Sequence, residues 1–178
     1  MGCRGPLAIR PATPADAPAI ARVNATAGRR GWADFLPADT LARFEAPRRE
    51  WEHRLARSEP DDVLVAVRGD EVVGFASLRR PPAPGEPGEL GALYTHPDVW
   101  GAGVGRALMA AALARLRERG CGEAVLWTER HNRRARETYE AAGWRADGST
   151  RRRDFLGHPI EEVRYRLALI PAPNANRA

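Results

Sequence analysis

The stretch Glu89-Leu-Gly-Ala-Leu-Tyr-Thr-His-Pro-Asp-Val-Trp100-Gly101-Ala102-Gly103-Val104-Gly105-Arg106-Ala-Leu-Met109 decides how this sequence is read. Its opening, Glu89 to Thr95, has the apolar run of a strand, and Leu108, Ala112, Leu113 and Leu116 recur near helical spacing, which predicts a helix from about Gly103 to Arg119. Between strand and helix stand Gly101, Gly103 and Gly105, at alternate positions. Glycine takes turn conformations that side chains resist, so successive N–H groups can point into one concavity. The helix adds its unpaired first amides and the positive end of its dipole. The product is an anion seat made of main chain, suited to a pyrophosphate. The spacing is not the GxGxxG of a dinucleotide turn, and the Gly-Lys-Ser/Thr of a P-loop is missing.

Working outward, Leu7 to Arg10 reads as an opening strand, and Thr13-Pro14 with Asp16 as a helix start that turns Ile20 and Val23 to the core. The Gly28 to Gly31 segment reads as a loop, followed by a second helix from about Asp39 to Arg57 that Pro47 kinks or splits. Val63–Val67 and Val72–Leu78, separated by Arg68-Gly69-Asp70-Glu71, give a hairpin signal. The proline-rich stretch 81–88 reads as an exposed connection, Ala124–Trp127 as a strand, Asn132–Ala142 as a helix and Glu162–Leu169 as a last strand. Arg151-Arg152-Arg153 falls in a predicted late loop. Strands alternating with helices imply a mixed α/β sheet with at least one parallel crossover. One domain over residues 7–170 is expected, with disordered residues 1–6 and a frayed tail, 171–178.

A second segment carries chemistry: Asn132-Arg-Arg-Ala135-Arg-Glu-Thr-Tyr139-Glu140-Ala-Ala-Gly143-Trp144. Asn132, Ala135 and Tyr139 share one helix face by their spacing. Both segments resemble the GNAT superfamily of N-acetyltransferases, which bind acetyl-CoA. The family's signature of Arg or Gln, two residues, Gly, one residue, Gly or Ala covers Trp100 to Gly105 and departs from it at Trp100. The second segment is similar to the family's Asn-x-x-Ala-x-x-x-Tyr-Glu-x-x-Gly-Phe, and the wider resemblance runs from Ile9 to about Leu169.

The resemblance implies a central mixed, mostly antiparallel sheet of about six to seven strands, a parallel pair at the cofactor cleft and helices on both faces. It implies acetyl-CoA as co-substrate, a homodimer, and transfer of an acetyl group to a primary amine by direct attack in a ternary complex. The amine would belong to a small molecule or a protein N-terminus. A non-catalytic acyl-CoA-binding or regulatory domain of the same fold is the alternative.

Cofactor contacts are expected from Leu93, Tyr94 and Thr95 through main chain, from Trp100, Gly101, Ala102, Gly103, Val104, Gly105 and Arg106 at the anion seat, and from Asn132 and Ala135 along the pantetheine arm. Glu89, at the family's glutamate offset, is the candidate general base, acting directly or through water, and Tyr139 the candidate acid for the departing thiolate. Trp32, Asp34 and Phe35, with the helix carrying Glu45 and Trp51, are candidates for an acceptor pocket.

Composition excludes other classes. All 28 basic residues are Arg, a bacterial-like GC-rich bias, and the net charge of +5 is spread among 23 acidic residues without aromatic interleaving, which argues against a nucleic-acid partner. Cys3 and Cys121 stand far apart with no CxxC, and His53, His96, His131 and His158 have no ligand spacing, so no metal is expected. Without a long apolar run, no membrane contact is expected, and the reading is cytoplasmic.

Overall fold

The computed structural model describes residues 5–44, 48–57, 62–81, 83 and 85–169. Strand β1 (Leu7–Pro11) leads through a 3-10 turn (Pro14–Asp16) into α1 (Ala17–Gly31). Short α2 (Ala38–Ala42) and α3 (Arg48–Arg57) follow, then β2 (Val63–Arg68), β3 (Glu71–Arg79) and β4 (Gly88–Thr95). A 3-10 turn (Pro97–Val99) and the glycine segment connect β4 to α4 (Val104–Glu118). The chain closes with β5 (Glu123–Glu129), α5 (Arg133–Ala141), β6 (Arg145–Phe155) and β7 (His158–Ala168).

The strands form one seven-stranded sheet in the order β1-β2-β3-β4-β5-β7-β6. Every neighbouring pair is antiparallel except β4 and β5, which are parallel. Alternation along β2 distributes the core. Val63 and Val65 face α1 and α3 with Ile20, Val23, Trp51 and Phe75, while Leu64 and Ala66 join Leu108, Ala112 and Leu116 of α4 on the opposite face. A third, smaller cluster joins Trp32 and Leu36, after α1, to Ile160 of β7.

The α/β sheet with a parallel pair and helices on both faces agrees with the expected class. Three local readings change. The Gly28–Gly31 segment continues α1 instead of looping, because Gly28 lets Phe44 pack against the helix: a Cβ there would lie 2.4 Å from Phe44 Cε1. Arg151-Arg152-Arg153 lies in β6 and not in a loop. Its side chains are polar and mostly exposed at the sheet edge, so the strand carries no apolar alternation, and pairing with β7 fixes it instead. Asn132 caps α5 rather than lying within it, and Oδ1 accepts the Ala135 N–H at 3.1 Å. The expected Asp39–Arg57 helix is two helices; Glu45 and Pro47 lie outside the described residues, as do residues 1–4 and 171–178.

Candidate active site

The site originates in the parallel pair. β4 and β5 are in register only at Gly88–Ala124 and Glu89–Val125, and beyond those residues the strands part. A cleft of about 920 Å³ lies at this opening, walled by Leu93, Tyr94 and Thr95 of β4, by the glycine segment with the start of α4, and by Asn132, Ala135 and Tyr139 at α5.

The turn has the conformation its glycines suggested. Gly101 and Gly103 adopt φ of 81° and 80°, and a Cβ at either would meet nothing within 4 Å, so backbone conformation alone demands glycine. The N–H of Trp100 donates to the Pro97 carbonyl and that of Ala102 to the Val99 carbonyl, both at about 3 Å, which closes the turn. Among the described residues no protein acceptor takes the N–H groups of Gly101, Gly103, Val104, Gly105 or Arg106. The free donors thus begin at Gly101; the amides of Trp100 and Ala102 serve the turn itself.

Trp100 has a structural task in place of the missing polar side chain. Its indole N–H donates to the Thr95 carbonyl at 2.9 Å, tying the end of β4 to the turn. The Arg134 guanidinium stacks on the Trp100 ring at 3.8 Å from the centroid, joining α5 to the same loop. Arg134 and Arg106 both line the cleft and bring positive charge to its mouth. Nothing in the sequence singled out Arg134, because arginine is scattered throughout the chain and the stack joins residues 34 positions apart.

Tyr139 is partly buried, packs against the core with Trp144 and Tyr165 as ring neighbours, and opens on the cleft. Burial holds its phenol well above the ordinary range, and the nearby Tyr94 adds to this, so Tyr139 keeps its proton through neutral pH. Tyr94 is raised by burial as well, with the Arg153 charge and the Trp32 side chain acting the other way. Asn132 spends its carbonyl oxygen on the helix cap, which leaves the NH₂ group for a ligand.

Glu89 is not brought to the cleft. It sits where β4 and β5 are still paired, opposite Arg79, whose Nη1 lies 3.3 Å from its carboxylate. Tyr94 is five positions further along the strand, roughly 16 Å away at the usual rise. Of the acceptor candidates, Trp32 lines the cleft, where it stacks on Phe155 at 4.2 Å between centroids. Phe35 lines a second hollow, and Asp34 is exposed and lines neither. Trp51 is buried against Phe75 in the α1–α3 core.

Residues 30–144 match the sequence profile of the acetyltransferase (GNAT) family. The chain belongs to this family. An aminoglycoside N(6')-acetyltransferase type 1 of Stenotrophomonas maltophilia is 32% identical over 86% of this chain and 94% of its own length. A mycothiol acetyltransferase of Brachybacterium faecium is 34% identical over 75% of this chain, which spans only 39% of that relative. The same partial coverage holds for the other mycothiol acetyltransferases it matches, at 27% for that of Cellulomonas flavigena. In fold, the GNAT chain superposes on the PaiA N-acetyltransferase of Thermoplasma acidophilum in complex with coenzyme A, with TM-score 0.76, 18% identity, and 92% and 99% of the two chains covered. Among its described residues no helix is long and apolar enough to cross a membrane, and no three His, Cys, Asp or Glu side chains cluster as metal ligands.

Proposed function

We propose that this GNAT protein transfers an acetyl group from acetyl-CoA to a primary amine by direct attack within a ternary complex. One observation carries the reading: residues whose amides have no protein acceptor among the described residues, at a turn with two positive-φ glycines, line the cleft where the parallel strands part. Those donors, the α4 dipole and the guanidinium groups of Arg106 and Arg134 suit a diphosphate. The edge of β4 from Leu93 to Thr95 is unpaired on the β5 side, so its main chain can bind the pantetheine amides as a neighbouring strand would, helped by the Asn132 NH₂ group. Ala135, beside Asn132 on the cleft wall, keeps that path clear.

Acetyl-CoA supplies the activated acyl group; the protein supplies position and electrostatics. An amide near Leu93–Thr95 would polarise the thioester carbonyl, and Tyr139, held protonated, would donate to the departing sulfur. Glu89 stands outside the cleft and could reach the amine only through a chain of water. Family membership and the aminoglycoside acetyltransferase relative support a small-molecule amine as acceptor.

Calorimetry with acetyl-CoA, followed by thiol release across a panel of aminoglycosides, polyamines and peptide N-termini, tests the proposal. Uptake with amine-dependent thiol release is expected. Uptake without release for any amine would leave a binding domain, and no uptake would remove the reading.

A further inference from the structure

We infer that His131, oriented by the buried carboxylate of Glu129, is the group that takes the proton from the amine. The inference rests on the acetyl-transfer reading and deepens it.

β5 ends at Glu129, four residues past its last pairing with β4, and Glu129 lines the second hollow. The Glu129 side chain is only 3% exposed, and the cost of burying a carboxylate calls for strong partners. It finds two in one residue: Oε2 accepts the His131 backbone N–H at 2.6 Å, and Oε1 meets the His131 Nδ1 at 2.9 Å. An ionised carboxylate only accepts, so Nδ1 carries the hydrogen and the neutral ring has its basic lone pair at Nε2. That nitrogen has no protein partner among the described residues, and the His131 side chain is 69% exposed. A buried carboxylate fixing the tautomer of an accessible imidazole is the arrangement general-base catalysis requires.

His131 lines a different space from the one assigned to the thioester, and the acceptor amine is assigned to the space that His131 lines. His131 directly precedes Asn132, which lines the coenzyme cleft, and itself lines a neighbouring hollow of about 400 Å³. An aromatic pair joins the linings of the two spaces: Trp32 lines the cleft and Phe35 the hollow, with ring centroids 5.5 Å apart. The hollow's other histidine, His158, is committed to the buried Thr40 hydroxyl at 2.5 Å.

Other charges nearby are largely paired among themselves. Glu162, the cross-strand neighbour of Glu129, is held by Arg151 and Arg153, and Glu161 by Arg130. Arg152 lines the hollow, and Arg136 of α5 is near enough to sense the Glu129 charge. Phe35, Leu36 and Pro37 close the remaining side without a titratable group.

In the step itself, Nε2 removes one proton from the ammonium and later gives it to solvent through its exposed edge. The freed lone pair forms the C–N bond to the thioester carbon. As the C–S bond breaks, the second nitrogen proton passes to the sulfur with Tyr139 as donor or relay. The products are the amide, coenzyme A thiol and one proton in solvent.

The test compares His131→Gln, Glu129→Gln and Glu89→Gln with the wild type. For the amine turned over best in the panel, kcat/KM is measured from pH 5 to 9, together with acetyl-CoA affinity. His131→Gln should lower kcat/KM by at least about 100-fold and remove the acidic limb of the profile, with the coenzyme Kd within about twofold. Glu129→Gln should shift that limb, and Glu89→Gln should leave it in place. In parallel, ¹⁵N NMR of the ring, which needs no acceptor, should report the Nδ1–H tautomer in the wild type and a mixture in Glu129→Gln. His131→Gln with a wild-type profile, or an Nε2–H ring in the wild type, would overturn the assignment. Loss of coenzyme uptake by the wild type would instead mark failure of the underlying reading.

Discussion

Replacing Gly103 by alanine separates the backbone cost of the turn from its work on the coenzyme. The site has φ of 80°, and an added Cβ meets nothing within 4 Å, so no steric clash enters. A left-handed alanine costs about 1–2 kcal/mol, and stiffening the unfolded chain returns roughly 0.5 kcal/mol, for a net loss near 1 kcal/mol. Gly120, past the far end of α4, supplies the control: its φ is also 80° and its surroundings are equally open. The two variants should therefore lose the same stability in urea titrations.

Coenzyme binding should divide them. If the alanine relaxes toward negative φ, the Gly103 and Val104 N–H groups turn away from the diphosphate. Each charge-assisted hydrogen bond contributes about 1.5–3 kcal/mol, so one misaligned donor weakens the acetyl-CoA Kd by roughly 10- to 150-fold. Gly120→Ala should bind within twofold of wild type, because it lies about 25 Å along the helix from the turn. Equal Kd values for both variants, with amide chemical shifts showing that the Gly103→Ala turn has left the left-handed region, would refute the assignment of those amides to the diphosphate.

Tyr139→Phe should reduce kcat by roughly 10- to 10⁴-fold while leaving acetyl-CoA affinity intact, measured by thiol release and calorimetry. Trp100→Ala removes the indole brace to the Thr95 carbonyl and the platform under Arg134, and should weaken coenzyme binding several-fold with a parallel loss of stability. Asp16, bonded by Arg10 at 2.8 Å on each oxygen and by the Thr13 amide, is lowered to about 2 in the fold. A depressed carboxylate stabilises above its unfolded pKa and ceases to do so as pH falls through the folded one. Asp16→Asn should thus cost about 2 kcal/mol at pH 7, a difference that shrinks between pH 4 and 2 in denaturation curves.

The parts of the site legible in the sequence are those whose chemistry is local. A strand, glycines at alternate positions and a helix start need no distant partner, so the turn, α4 and α5 follow from spacing. What escaped depends on contacts between remote segments. β6 has no apolar alternation because it is an edge strand whose Arg151 and Arg153 turn to Glu162, a buried carboxylate of β7 between β5 and β6. Gly28-Arg29-Arg30-Gly31 has loop composition, yet Phe44 packs on Gly28 and α1 continues through it. Glu129 and His131 match no motif; the burial of the first and the accessibility of the second arise only where β5 leaves its parallel partner.

That parting of two strands unites the site. A continuous parallel pair would satisfy the β4 edge internally and leave no room for a ligand chain. By separating after Glu89 and Val125, the sheet offers unpaired main chain on one side and directs the end of β5 toward the second hollow on the other. In the proposed function coenzyme recognition falls largely to backbone, so that Trp100 in place of a polar residue would leave the seat intact. Acceptor chemistry is assigned to side chains at the strand end and on the segments around the hollow, Phe35, Glu129, His131 and Glu161 among them. Substitutions there should change which amine reacts and at what pH, while substitutions in the glycine segment should change coenzyme affinity for every amine alike.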